Sequence, residues 1–468
     1  MTRNPAAVTV TVKMFDVGEL GDCFWLQFAT RDQESNVLID CGSFRNSEKS
    51  KTRLNKIAGY IRNQLNDRQL DVVVGTHQHN DHVSGFVHCE KIFTGMVDQT
   101  WLSWLDNPRD QLARSIKKDQ LNLVDTVSKL QSRLPATSSA GQILKDVLGF
   151  YAASGEDEDG GGPELPARGI EILKQLPEKE VRYLSPGDIL PLPGMPTDAV
   201  RVYVLGPPRN QTLLFDKDPK KTETYDPNLA FANINAKRFL SALENNTSDG
   251  SDRAEKQFPF SSTHKKSEAK AHPEMVALYK REPWRMIEDD WMQTASRLAL
   301  YLDSYTNNSS LVLAFELVKS GKILLFAADA QTGNWLSWDD IKWKGVTGTF
   351  STEALLRNTV LYKVGHHGSH NATLVKALES MEHSELVAMI PVCKTDPNIT
   401  KKNGWKMPAK NLYKRLKEKT GYRVLRMDDG YADGCDPQKN KGKTKWKSLP
   451  YQPRFDEKNF FVEYTVTG

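Results

Sequence analysis

The chain has 468 residues, which at about 150 residues per domain allows about three domains or one elaborated α/β domain. Hydrophobic residues make up 39% and charged residues 26%, an ordinary globular composition that excludes a disordered or fibrous chain. Sixty-three Lys and Arg against 59 Asp and Glu leave a net charge of +4, too little to hold nucleic acid by overall charge, so any such attraction must come from local patches.

The longest apolar runs, such as Ile323 to Ala328, fall far short of the roughly 20 residues that cross a bilayer. Met1 to Ala7 passes directly into the alternating Val8 to Val12, without the apolar stretch and cleavage site of a signal peptide. A cytoplasmic protein is expected. Five scattered cysteines without a CxxC pair argue against a disulfide framework and a zinc knuckle, and are read as reduced thiols.

In chain order, strands are predicted over Val8 to Val17, Cys23 to Phe28 and Asn36 to Ile39. A helix follows over Arg53 to Leu65, with Leu54, Ile57, Ala58 and Ile61 on one stripe. The apolar Val72-Val73-Val74 then reads as a strand buried on both faces, ending at Gly75. Residues from about Leu112 to Ser154 have helical spacing and lead into an acidic, glycine-rich linker over 153–168. Strand character returns at Val200 to Leu205, and a second polar stretch, Asn245 to Gln257, lies in another inserted region. A helix over Trp284 to Tyr301 precedes strands at Ser310 to Val318, Lys322 to Phe326, Thr359 to Val364 and Glu385 to Val392, with a last helix at Asn411 to Glu418. The simplest reading is one α/β domain over 1–468 with insertions at about 105–195 and 209–300.

The sharpest signal is Thr76-His77-Gln78-His79-Asn80-Asp81-His82, directly after the buried strand. Three imidazoles and a carboxylate within six positions at a strand end suit Zn²⁺, with Mn²⁺ or Fe as alternatives. Asp329 ends the apolar run Ile323 to Phe326, where a buried carboxylate is costly unless paired or metal-bound.

These residues resemble the HxHxDH signature of the metallo-β-lactamase superfamily. Asp16-Val17-Gly18 with Gly21-Asp22, and Leu38-Ile39-Asp40-Cys41-Gly42, look like the opening hairpin of that fold. Asn308 to Leu313, Ile323 to Asp329 and Lys363-Val364-Gly365-His366-His367-Gly368-Ser369 are similar to the metallo-hydrolase domain of DNA-uptake channel proteins of the ComEC type. So are Gly404 to Pro408 and Arg426 to Gly430. The resemblance implies a four-layer αββα sandwich carrying helical and loop insertions. It implies that His77 and His79 hold one divalent ion, that Asp81 and His82 hold a second, and that Asp329 bridges them. His366 or His367 completes the second site, the first of the pair being slightly favoured. Asp22 and Asp40 would fix ring orientation from behind the ligands.

There are departures from the family pattern. Ala328 stands where a Gly usually precedes the bridging Asp, and Met407 replaces the His of the ComEC-type ending. No third histidine for the first ion stands clearly between His82 and Asp329. His88, His264 and His272 read as structural or exposed, so the first site is completed by water, or is weak or empty.

One or two ions of this kind support hydrolysis through a metal-activated hydroxide, with Asp81 and Asp329 as the catalytic carboxylates. The ComEC-type segments imply a phosphodiester substrate, and hence a phosphodiesterase or nuclease with a nucleic acid or nucleotide partner. Ser369 and His370 are placed to touch substrate. Lys439, Lys441, Lys443, Lys445 and Lys447 alternate, so a strand would put Lys443, Lys445 and the others on one face with Trp446 opposite. A solvated lysine loop is the equal alternative. Two other readings stand: a hydrolase of a small ester, lactone, thioester or nucleotide, and a non-catalytic scaffold presenting the insertions to protein partners.

Overall fold

A computed structural model of the chain describes residues 6–45, 47–131, 139–150, 165–214, 272–281, 302, 304–344, 351–401 and 404–468. The expected helix at 284–301, the polar stretch at 245–257, His264 and most of the acidic linker lie outside the described residues. The chain forms two compact units. The larger takes Met1–Lys117, Gly149–Phe231 and Ser304–Gly468; the smaller takes Lys118–Leu148 and Ala232–Asp303.

The larger unit is an α/β sandwich of two eight-stranded sheets. In chain order its strands are β1 (Thr9–Phe15), β2 (Cys23–Ala29), β3 (Glu34–Cys41), β4 (Leu70–Val74), β5 (Val97–Ser103) and β6 (Glu180–Leu184). Then come β7 (Ile189–Pro191), β8 (Val200–Gly206), β9 (Val312–Leu317), β10 (Lys322–Phe326), β11 (Thr359–Lys363), β12 (Val387–Ile390), β13 (Val424–Arg426) and β14 (Gly430–Tyr431). The last two, β15 (Arg454–Asp456) and β16 (Phe461–Thr467), return to the first sheet. That sheet runs β15-β16-β1-β2-β3-β4-β5-β6 and the second β14-β13-β12-β11-β10-β9-β8-β7. In each, the antiparallel part passes into a parallel part, β3 to β6 and β10 to β13. The carboxyl ends of parallel strands are where such sheets carry ligand sites.

Alternation in β1 and β2 sends one set of side chains between the sheets. Phe24 of β2 meets Phe326 of β10 edge-on at 5.7 Å between ring centroids, and Phe28 meets Phe315 at 5.4 Å. These contacts join both sheets in one core. On the outer face, α1 (Glu48–Leu65) buries Leu54, Ile57, Ala58, Ile61 and Leu65, and its Tyr60 ring lies against Phe15, Trp25 and Phe461. The helix starts at Glu48, five residues before the expected Arg53. Ser47 caps it by accepting the Ser50 N–H at 3.2 Å, so its polar first turn is fixed by capping rather than by burial.

The expected insertion at about 105–195 includes residues that enter the sheets. Residues 165–195 supply a helix, Leu165–Gln175, and the strands β6 and β7. β6 pairs with β5 in parallel at the edge of the first sheet. An edge strand that is only half covered carries a faint apolar pattern, which is why its sequence did not stand out. Helices Gln111–Gln131 and Ser139–Gly149 match the helical reading of this region.

Candidate metal centre

The HxHxDH loop joins β4 to α2 (Asn80–His88), with His79 at the N-cap position. Asp81 and His82 therefore sit in the first turn of α2, while His77 and His79 precede it. Two close approaches hold the loop in place. A Cβ on Gly75 would lie 2.6 Å from Leu173 and 2.9 Å from Leu102. A Cβ on Gly42 would lie 2.5 Å from the Asn80 oxygen, the Asp81 carbonyl carbon and the His82 nitrogen. Gly42→Ala is therefore expected to push the α2 entry away from β3. We expect a loss of about 1–3 kcal/mol of stability by overpacking, together with weakened metal binding, read by calorimetric melts and metal analysis.

The site side chains converge from both sheets, and each of His77, His79, Asp81, His82, Asp329 and His367 is at most 2% exposed. His77 Nε2 and His79 Nδ1 are 3.1 Å apart; two nitrogens on one tetrahedral Zn²⁺ stand about 3.3 Å apart. Nearby, Asp22, His82, Asp329 and His367 place one ligand atom each within 4.8 Å of one another. His82 Nε2 lies 3.1 Å from Asp329 Oδ2, yet neither atom has a hydrogen-bond partner. Asp22 Oδ1 and Asp81 Oδ1 are likewise buried and unpartnered. Buried polar atoms are ordinarily satisfied, so a cluster of orphaned lone-pair donors fits a cation.

The surrounding hydrogen bonds set the tautomers that a cation needs. His82 Nδ1 donates to Asp40 Oδ2 at 2.7 Å, so Nε2 is the nitrogen left to face a cation. Asp40 is itself held by the Thr76 N–H at 2.9 Å and the Thr76 hydroxyl at 2.7 Å. His367 Nδ1 donates to the Pro391 carbonyl at 2.6 Å, and its Nε2 lies 3.0 Å from Asp81 Oδ2. This is the outer support that fixes ring orientation in metal sites.

Electrostatics separate the histidines into two sets. Burial pushes His77 well below the ordinary histidine range and His79 down to about 3, so both rings are neutral donors. Burial also opposes charge on His82, yet the carboxylates around it, Asp329 first, hold it well above that range, so without an ion the ring keeps a second proton that a cation at Nε2 would displace. Burial likewise opposes ionisation of Asp329, but His82 and Lys363 keep its carboxyl well below the usual carboxylate range. Four buried carboxylates, Asp22, Asp40, Asp81 and Asp329, face a single buried ammonium, Lys363. With the imidazoles neutral, as they must be to ligate, that leaves a deficit of three positive charges; in the ion-free protein the protons held by His82 and His367 offset part of it, and bound cations would take their place.

Residues 18–93 match the family model of the metallo-beta-lactamase superfamily. That stretch contains Asp22, Asp40 and the whole HxHxDH loop. No curated protein matches the chain. The two-sheet architecture is that of the metallo-β-lactamase sandwich, and the matched stretch with the buried His/Asp cluster points to a metal-dependent hydrolase with a divalent ion as cofactor.

Against that superfamily pattern, the structure brings together His77, His79, Asp81, His82, Asp329 and His367, with Asp40 behind His82. Asp22, expected only to orient a ring, lies within the donor cluster itself. The double-histidine turn, in which both residues have positive φ, 39° and 51°, splits the pair. His366 Nδ1 accepts from the Gln331 amide at 3.0 Å and lies 3.1 Å from the Ser369 hydroxyl. Ser369 is buried beside His366 and gives its one hydroxyl proton to Asn371 Oδ1 at 2.8 Å. His370 is half-buried beside it.

The lysine strand is not formed. Residues 437–443 are turns and a bend, 444–445 are irregular and Trp446–Ser448 is a 3-10 helix, so no strand face aligns Lys443 and Lys445. Gly442 takes φ 96° and Trp446 is fully buried, its indole N–H donating to the Cys435 carbonyl at 3.0 Å. Burial of that one indole overrides strand alternation. His88 ends α2 as expected, and His272 is exposed. All five cysteines are buried free thiols, and no described helix is long and apolar enough to cross a membrane.

Sequence reasoning missed Thr76, Ser310, Gln331 and Lys363. Ser310 accepts the Asp329 N–H at 3.2 Å and lies 3.3 Å from His77 Nδ1, tying the two candidate ion positions together. Only Lys363 left a trace, as a lone charge closing an apolar strand. An aromatic wall was also unforeseen: Phe150 lies 5.0 Å from His79 and stacks on Trp405 at 5.5 Å, with Phe44 edge-on to both.

Proposed function

We propose that the chain is a metal-dependent phosphodiesterase that hydrolyses nucleic acid or a nucleotide, with Zn²⁺ as the expected ion. The observation that carries the hydrolytic reading is the set of buried, unpartnered donors, His82 Nε2, Asp81 Oδ1, Asp329 Oδ2 and Asp22 Oδ1, beside the converging His77 and His79 nitrogens. His77 and His79 would hold one ion, and Asp81, His82, Asp329 and His367 the other. Divalent ions held there lower the pKa of water and stabilise the charge that develops on oxygen during a displacement.

The chain's own residues do the rest. Asp40 and the Pro391 carbonyl keep His82 and His367 in the Nδ1–H tautomer. Asp81 has Oδ2 toward His367 and Oδ1 without a partner; with one of the two oxygens holding an ion, the other would be left to take the proton of the attacking water. Two divalent ions would turn the deficit of three charges into a surplus of one, which suits an anionic phosphodiester over a neutral ester. The likeness of the Lys363 to Ser369 segment to ComEC-type hydrolases supports the same substrate class.

A small-molecule hydrolase is the second reading, favoured by the near-complete burial of the site and by the aromatic wall at His79. The test is metal analysis of the purified protein, with turnover of single- and double-stranded DNA, RNA, cyclic dinucleotides and model esters by wild type and His79→Ala. Phosphodiester cleavage that falls more than about 10²-fold in the variant is expected, beyond the 10–100-fold cost of losing an outer support. Ester cleavage alone would transfer the assignment to the second reading.

A further inference from the structure

Lys363 is the last residue of β11 and is 1% exposed. An unpaired ammonium at that depth is among the costliest groups to bury, so its contacts carry weight. Its three N–H donors have three acceptors: Asp22 Oδ2 at 2.5 Å, the Ala328 carbonyl at 2.7 Å and Asp329 Oδ1 at 3.3 Å. Those acceptors come from different places. Asp22 precedes β2 in the first sheet, whereas Ala328 and Asp329 follow β10 in the second.

Each contact constrains the donor cluster. Ala328 has φ 48°, a left-handed conformation that a residue with a Cβ adopts at a cost, and its carbonyl is the one Lys363 holds. Asp329 Oδ1 receives both Lys363 and the His366 N–H at 3.1 Å, so Oδ1 is fully engaged and Oδ2 is turned toward His82 and His367. Asp22 has Oδ2 on Lys363 and Oδ1 left unpartnered. The ammonium thus takes one oxygen of each carboxylate and leaves the other without a hydrogen-bond partner, Asp329 Oδ2 at 3.1 Å from His82 Nε2 and Asp22 Oδ1 at 3.8 Å from His367 Nδ1.

We propose that Lys363 is a positioning residue that assembles the two-sheet metal site before any ion arrives, by clamping Asp22, the Ala328 carbonyl and Asp329. The inference rests on the metal reading of the site. It makes a prediction opposite in sign to simple electrostatics. Removing a cation beside a metal site should tighten ion binding by relieving repulsion, whereas removing a clamp should weaken it.

The experiment is a chelator-competition titration of Zn²⁺ into metal-free wild type, Lys363→Met and Lys363→Gln, with Co²⁺ absorption spectra of each and thermal melts of the metal-free proteins. We expect both variants to bind Zn²⁺ about 10–100-fold more weakly than wild type, the usual cost of losing an outer-shell support. The Co²⁺ spectrum should also change. Variants that bind as tightly as wild type or more tightly, with an unchanged Co²⁺ spectrum, overturn the clamp and leave the metal reading standing. A wild type that binds no ion overturns the metal reading itself. If neither variant folds, the nitrogen-15 resonance of the Lys363 ammonium decides: slowly exchanging protons in the metal-free wild type support a preformed clamp, and their absence overturns it.

Discussion

Replacing Asp329 with asparagine is expected to empty the centre while leaving the sandwich folded. In the native protein, Asp329 Oδ1 is engaged by Lys363 Nζ and the His366 N–H, and Oδ2 has no partner. Asparagine fills the same volume. Its carbonyl oxygen takes the Oδ1 position, because an amide NH₂ there would face two donors. The NH₂ group is then forced into the Oδ2 position, 3.1 Å from His82 Nε2, where it has no lone pair for a cation. Because Asp329 also meets His367 Nε2 at 4.0 Å, the change reaches both histidines. We expect metal content to fall and kcat/KM to drop by more than about 10²-fold, exceeding the 10–100-fold cost of losing an outer support. Metal analysis and kinetics on the same preparation check this. Full metal occupancy with normal turnover would remove Asp329 from the centre.

The second large effect separates two adjacent histidines. His367→Ala deletes a ring whose Nδ1 proton is committed to the Pro391 carbonyl and whose Nε2, 3.0 Å from Asp81 Oδ2, is the nitrogen left for a cation to take in place of its proton. His366→Ala deletes a ring whose Nδ1 accepts the Gln331 amide, so the neutral ring carries its proton on Nε2, and burial holds its pKa down to about 4. A ring protonated on Nε2 offers no lone pair to a cation from that nitrogen. We therefore expect His367→Ala to lose metal and more than about 10²-fold in turnover. We expect His366→Ala to retain metal and lose less than about tenfold, a loosening of one supporting contact. The reverse order would mean that the Gln331 amide is turned the other way and that His366 is the ligand.

The two effects share a physical origin. Carboxylates and imidazoles this deeply buried are tolerable only as a set, and each member is oriented by a hydrogen bond that occupies its other polar atom. Asp40 does this for His82, Pro391 for His367, and Lys363 for Asp22 and Asp329. A variant that removes an outer partner leaves the donor present but free to turn, which is why graded losses are expected around the centre and steep ones within it.

Several features were legible in the amino-acid sequence because they are local. The buried strand Val72 to Val74, the histidine loop after it and the strand-ending Asp329 are short-range patterns of apolar run, turn and polar group, and such patterns depend only on neighbours in the chain. The amphipathic stripe of α1 is of the same kind. What tertiary structure alone decided is long-range. Whether His366 or His367 turns inward depends on a left-handed turn and on Gln331, 35 residues away. That Asp22 enters the donor cluster depends on Lys363, a residue of the other sheet. That the lysines of 439–447 do not align depends on one buried tryptophan. Spacing along a chain reports which side chains are available, but a buried charge is stabilised by whatever is opposite it in space, and that partner is set by how two sheets close on each other.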